Sequence, residues 1–358
     1  MKTIVRAAIL CMIISIFSIY YSVSNQPPIP KDVLIDQKTV KKKSHSEIRI
    51  NNPNSIARPT IGLSTWIGKL SSDLEVTFGA PDRMDKTEFG YDWWIFNKDL
   101  KDYRMFAVSD EKIVSVIGAG ERAEINPFHI GQNLQNVFPQ GSFESTVVIN
   151  SKKTTYRFEL SEEDFVNRPL LKLDGIYAQI YIDRFTNEIT AIRYLNEATL
   201  ILEKPYELTY SGTLEEIVPP TDEEWKVIQF GYEKEVIDFT NVIRNYYNLT
   251  ALTEITELSE VSRAHSQDMF DHKFFSHESS DDKDLAKRLN EYQIPFAKAG
   301  ENIAAKYVDP VAAVEGWLNS PSHREALLDP EYNNVGVGVV QKLYTQNLIQ
   351  QTDIPLHE

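Results

Sequence analysis

Cysteine is almost absent from this 358-residue chain: Cys11 is the only one, and it lies in an apolar run near the N-terminus. That scarcity excludes a disulfide-stapled scaffold, a zinc finger and a cysteine nucleophile for everything beyond the leader. A surplus of basic residues is also missing. With 37 Lys and Arg against 52 Asp and Glu, the formal charge is −15, and no strongly basic stripe lies in the folded part. Nucleic acid is excluded as a partner on these grounds, as is general attraction to anionic membranes or polyanions. General disorder is excluded by what the chain does have. Its residues are 42% hydrophobic and 11% aromatic, enough to build the cores of two domains.

Lys2 and Arg6 precede an acid-free apolar segment running from Ala7 to about Val23. Its length lies between those of a cleaved secretory signal and an uncleaved signal anchor. Ser22 and Ser24 permit cleavage, although no A-x-A site is present. Residues 1–24 therefore read as a signal peptide or signal anchor with one transmembrane helix. Residues 25–60, polar and punctuated by proline and lysine, read as a spacer. The folded part is expected outside the cytoplasm, touching the membrane only through the N-terminal segment.

From residue 61 to 212 the pattern becomes one of short alternating segments. "YRMFAVSDEKIVSVIGAG" alternates on both sides of "SDEK", and "YAQIYIDRFTNEITAIRYL" around "RFTNE", as β-hairpins do. Before each hairpin comes an Ile-Gly opening, at Ile67 and at Ile130, then a helix-like stretch and a Phe followed by Gly or Pro. The repeated order implies a duplicated α+β unit. No catalytic constellation occurs here: His129 is isolated, and Trp93–Trp94 reads as sheet packing. Residues 213–229, with Pro219–Pro220 and a run of acids, read as a linker.

Residues 230–350 change period again. Val236, Phe239, Ile243 and Tyr247 recur at helical spacing, as do Ile255, Leu258, Val261, His265 and Met269 in a second helix. Asp309 and Pro310 open a third. "NNVGVGVVQKLYTQNL" reads as a strand pair. Three segments carry the candidate chemistry: "FFSHES", "AGENIA" and "NSPSHREAL". His277, Glu301 and His323 offer three ligands to zinc or a similar divalent ion, with a fourth position open. The alternative is a hydrogen-bonded cluster that organises loops. His265, on the Met269 face, and Trp317 read as core. Asn302 and Ser276 read as holding loop backbones, and Arg324 as a buried hydrogen-bonded contact.

In their order, "VIRNYYNLTALTEITELSEVSRAHSQDMFDHKFFSHES", "AGENIA", "VEGWLNSPSHREALLDPEYNNVGVGV" and "YTQNL" resemble the CAP superfamily of cysteine-rich secretory, antigen 5 and pathogenesis-related proteins, in its bacterial SCP-like branch. The preceding half resembles the CAP-associated domain of Bacillus-type bacteria. The resemblance implies an α–β–α sandwich behind a duplicated, hairpin-rich α+β domain, the whole being of α+β class. It also implies a cavity lined by two histidines and two acids that holds divalent metal in some members. His277 matches the first histidine and Glu301 the acid of the GEN motif. The second acid would fall near Ser320 and the second histidine at Leu343, so both are replaced, and His323 is the histidine of the bacterial branch. Two functions follow. One is an extracytoplasmic module binding a cell-surface ligand or protein. The alternative is a metal-assisted protease with Glu301 as base. A serine mechanism at Ser276 or Ser322 is disfavoured, because adjacent side chains rarely form a nucleophile–base pair.

Overall fold

A computed structural model describes residues 34–43, 57–133 and 143–351. The leader with Cys11, and the second helix-like stretch of the expected duplication, lie outside these residues.

The first domain opens with two short strands, β1 (Leu34–Ile35) and β2 (Val40–Lys42), and helix α1 (Ser71–Phe78). A meander follows: β3 (Arg83–Lys86), β4 (Asp92–Phe96), β5 (Tyr103–Ser109) and β6 (Lys112–Ala119). Then come β7 (Thr146–Ser151), β8 (Thr154–Glu159), α2 (Glu162–Asn167), β9 (Leu170–Leu173), β10 (Ile176–Asp183), β11 (Glu188–Leu195), α3 (Glu197–Glu203) and β12 (Glu207–Ser211). The second domain consists of α4 (Asp222–Tyr246), β13 (Thr253–Glu254), α5 (Thr256–His272), α6 (Leu285–Glu291), β14 (Lys298–Ala305), α7 (Pro310–Leu318), α8 (Pro321–Leu327), β15 (Asn334–Val340) and β16 (Leu343–Gln350).

Both expected hairpins form, and they lie side by side. The seven-stranded antiparallel sheet has the order β3-β4-β5-β6-β11-β10-β9, so β6 and β11 meet at its centre. Alternation along β5 divides two cores: Met105 joins Trp93 on one face, and Phe106 joins Leu74 and Val116 on the other. Trp93 is buried and Trp94 partly buried within β4, as sheet packing requires.

Two boundaries differ from expectation. Part of the presumed spacer is structured: β1 pairs in parallel with β14 at Ala304 and Ala305, and β2 pairs in parallel with β12. Residues 34–43 thus form a clasp that adds a strand to the edge of a sheet in each domain. The presumed linker shrinks, because α4 begins at Asp222. Thr221 accepts from the Glu224 N–H at 3.3 Å, and Glu224 accepts from the Thr221 N–H at 2.8 Å. Of the acids read as linker, Asp222, Glu223 and Glu224 belong to the capping box and first turn of a helix, where its dipole favours them.

The second domain is the expected sandwich. Its five-stranded sheet has the order β1-β14-β16-β15-β13. Successive residues of β16 identify the two covering layers. Thr345 hydrogen-bonds Ser266 of α5 at 2.8 Å, whereas Gln346 donates to Thr240 of α4 at 2.8 Å. Successive strand side chains point to opposite faces, so α4 and α5 lie on opposite sides of the sheet. The "VGVGV" pattern of β15 has the same cause. Val335, Val337 and Val339 enter the core shared with α4, while the glycines face α5. There Ser262 donates to the Gly336 carbonyl at 3.0 Å and Ser266 to that of Gly338 at 2.9 Å. A Cβ at Gly338 would stand 1.9 Å from the Arg263 amide nitrogen.

One core crosses the seam between the domains, joining Trp93, Tyr103 and Met105 to Val236, Phe239, Ile243 and Trp317. Buried polar groups cross it too. Arg193 of β11 donates to Glu203 at 2.9 Å and to Asp309, the N-cap of α7. Glu315 of α7 accepts from Thr190 of β11 at 2.7 Å. Burial pushes the Glu315 carboxyl up to about 8 and nearby Asp183 adds to this, with the Thr190 hydrogen bond opposing.

Gly338→Ala is expected to destabilise the protein by about 3 kcal/mol through overpacking, read from the midpoint of urea unfolding at unchanged slope. A second outcome concerns pH. An acid whose folded pKa is raised binds its proton more tightly when folded. Stability is therefore lost as pH rises from the unfolded value of 4.5 towards about 8. Glu315→Gln should flatten that decline, which unfolding midpoints at pH 5 and pH 8 will show.

Candidate functional site

Glu301 lies on β14 opposite Asn347 of β16, on the face covered by α5. Its side chain is only 4% exposed, so its charge must be met within the protein. His277 lies in the loop after α5 and Arg288 on α6. His277 Nδ1 donates to Glu301 Oε1 at 3.0 Å, and the Arg288 guanidinium binds Glu301 Oε2. Burial would raise the carboxyl pKa. The His277 hydrogen bond, Arg288 and His265 outweigh it and hold Glu301 below the usual range.

The loop is built to deliver His277. Asp268 of α5 accepts from the Ser280 N–H at 2.8 Å, folding the loop back on the helix. Asp284 caps α6 by accepting from the Lys287 N–H at 2.8 Å. Arg288 then reaches the His277 carbonyl at 2.7 Å and the Lys283 carbonyl at 3.1 Å. The same guanidinium thus holds the loop backbone and neutralises Glu301.

His265 is buried, as expected, but it belongs to this cluster. Its Nε2–H donates to the Ser276 carbonyl at 3.0 Å and lies 3.9 Å from Glu301 Oε1. Burial is the main cause that holds its pKa below the ordinary histidine value, keeping the ring neutral. His265 Nδ1 and both amide atoms of Asn347 are buried without a hydrogen-bond partner among the described residues.

His323 is 2% exposed, with Nδ1 at 2.8 Å from Ser320 Oγ. Its ring centroid lies 6.4 Å from that of His277. The structure thus gathers His277, Glu301 and His323 in one neighbourhood, but not as ligands to one point. Among the described residues no three His, Cys, Asp or Glu side chains are grouped to hold a metal ion. Both Glu301 oxygens are committed, one of them to a cation. As arranged, these residues do not fit a divalent metal.

Several other expectations are met. Trp317 is core, donating to the Ile303 carbonyl at 3.0 Å, and Arg324 donates to Asp183 across the seam at 2.6 Å. Ser276 accepts from the Glu278 N–H at 3.1 Å and so holds its loop. Asn302 differs: it donates to Gln346 on the α4 face at 3.1 Å and holds no loop. Arg288 was missed by sequence reasoning. The signal available was physical, since a buried glutamate needs a cation and an arginine thirteen residues away was at hand.

Comparison with known proteins agrees with this architecture. The CAP-associated N-terminal family matches residues 67–206, and the cysteine-rich secretory protein family matches residues 237–351. "Uncharacterized membrane protein YlbC" of Bacillus subtilis is 37% identical over 356 residues, which is 98% of this chain and 100% of that protein. The chain belongs to the CAP superfamily, in its bacterial form with an N-terminal CAP-associated domain. The crystal structure of an extracellular protein containing a SCP domain from Bacillus anthracis superposes with a TM-score of 0.78 at 35% identity, covering 85% of this chain and 100% of that one. That of a cysteine-rich secretory protein from Staphylococcus aureus gives 0.74 at 25% identity, covering 88% and 99%. Within this CAP domain, Ser320 stands where the resemblance places a second acid, and its hydroxyl partners His323.

Arg288→Met should cost about 3–5 kcal/mol, because it leaves a buried carboxylate short of its cation. Adding Glu301→Gln should recover a large part of that loss in a double-mutant cycle read by urea unfolding.

Proposed function

We propose that this CAP domain is an extracytoplasmic binding module for a cell-surface ligand or protein, and not a hydrolase. The observation that carries the reading is the commitment of Glu301 to His277 and Arg288. A carboxylate so engaged, with its pKa lowered, is a poor general base, and the Arg288 cation on one of its oxygens disfavours a second cation there. The Ser320–His323 pair is buried, which removes it as a nucleophile able to meet a substrate. What the cluster offers to a partner is the His277 imidazole, 34% exposed, with polar atoms of His265 and Asn347 behind it.

Location outside the cytoplasm is supported by the relatives, one named a membrane protein and one an extracellular protein. Among the described residues no helix is long and apolar enough to cross a membrane. In this reading the N-terminal apolar segment is the export signal or anchor.

The test uses the full-length chain. Labelled wild-type protein should associate with intact cells lacking it, and His277→Ala should weaken that association about tenfold while leaving the fold intact. Zinc titration should show no micromolar site, and casein should remain uncut with or without zinc. Zinc-dependent cleavage abolished by Glu301→Gln would replace the binding reading with the hydrolase.

A further inference from the structure

A cavity of about 310 Å³ opens where the clasp crosses between the two domains, away from Glu301. Its wall carries four lysines, Lys38, Lys204, Lys306 and Lys342, against two acids, Asp36 and Glu203. Each lysine comes from a different part of the fold: the clasp, the end of α3, the β14–α7 connection and the β15–β16 turn. In a chain with a formal charge of −15, such convergence of like charge needs a reason.

The two acids do not supply it, because both are already met from behind. Arg168 donates to Asp36 at 3.0 and 3.2 Å, and Arg193 donates to Glu203 at 2.9 Å. Lys342 pairs with Glu88 and donates to the Val308 carbonyl at 3.1 Å. Lys38 shares Asp36 at 2.5 Å. The ammonium groups of Lys204 and Lys306 make no hydrogen bond among the described residues, and Glu216 acts on Lys204 only through space.

We propose that this cavity binds a phosphate-bearing anion, with Lys204 and Lys306 as its main donors and Lys38 behind them. Separate ammonium groups act as point charges and suit tetrahedral phosphate oxygens directed several ways. A planar carboxylate would be matched by a guanidinium fork, and both guanidiniums here are committed to acids. The volume is at the lower end for small-ligand sites and suits one or two phosphate groups.

Lys38 adds a pH dependence. It faces Asp36 on the clasp, Arg168 and Asp164 from α2 and its C-cap, and the Tyr206 ring at 5.9 Å. Burial and then Arg168 push its pKa down to about 8, with Asp36 and Asp164 opposing. Deprotonation as pH rises through about 8 removes one positive charge from the site, so affinity should fall there. An anion held between the clasp and both domains would also stabilise their docking.

The test is calorimetric titration of the full-length protein with sodium phosphate, sodium pyrophosphate and glycerophosphodiester, each against chloride at matched ionic strength. Saturable binding is expected, weakened about tenfold in Lys204→Ala/Lys306→Ala and weakened again in the wild type above pH 8. Pyrophosphate should raise the melting temperature of the wild type and not that of the double variant. Tighter binding of the diester would assign the ligand to a phosphodiester, and tighter binding of the inorganic ions to free phosphate. Lys306→Glu, at an exposed position, repeats the test should the double variant fail to fold. Heat no greater than that of chloride, or affinity unchanged in these variants, would overturn the proposal.

Discussion

Arg193 is wholly enclosed, and among the described residues its ion-pair partners are Glu203 and Asp309. Glu203 ends a helix of the first domain, and Asp309 caps a helix of the second. The first domain alone would keep the Arg193–Glu203 pair, and the pair with Asp309 is the part of the triad that only the docked domains complete. The shared apolar core supplies non-directional attraction between the domains, and the ion triad fixes their register. Tyr91, which donates to Glu203 at 2.7 Å, ties that triad to the sheet. The CAP-associated domain and the CAP domain thus share one core and pack as one compact unit, with α4 between them.

The same rule of compensated charge shapes the candidate site. Glu301 is carried into the interior by the alternation of β14, and the protein spends Arg288 and His277 on keeping it ionised there. Holding the loop from 273 to 284 and neutralising Glu301 are one task, because Arg288 performs both. In this cluster both oxygens of the buried carboxylate are hydrogen-bonded, one to His277 and one to Arg288.

Clasp and glycine ladder show how close approach is arranged elsewhere. Gly336 and Gly338 let α5 settle onto β15 so that two serine hydroxyls reach strand carbonyls. The clasp uses backbone pairing at two sheet edges, with its exposed lysines keeping the outer side of β2 soluble. Such edge strands are short, which is why their sequence carries so little periodic signal.

Periodicity and spacing were enough to identify both hairpins, the helices that cover the sandwich, and the Gly–Val alternation of β15. These depend on local patterns that any buried face imposes. The ordered segments around His277, Glu301 and His323 were likewise sufficient for family and sandwich. Sequence alone left three matters undecided, each settled by how side chains or strands meet in the fold. Arg288 carries no motif, and only the fold brings it to Glu301. Residues 34–43 look like a polar spacer until the open edges of β14 and β12 receive them. The three expected metal ligands are neighbours, yet whether they share a point in space depends on side-chain direction, which hydrogen bonds to Arg288 and Ser320 decide. Local propensity determines which elements form, and the compensation of buried charge determines what their side chains are free to do.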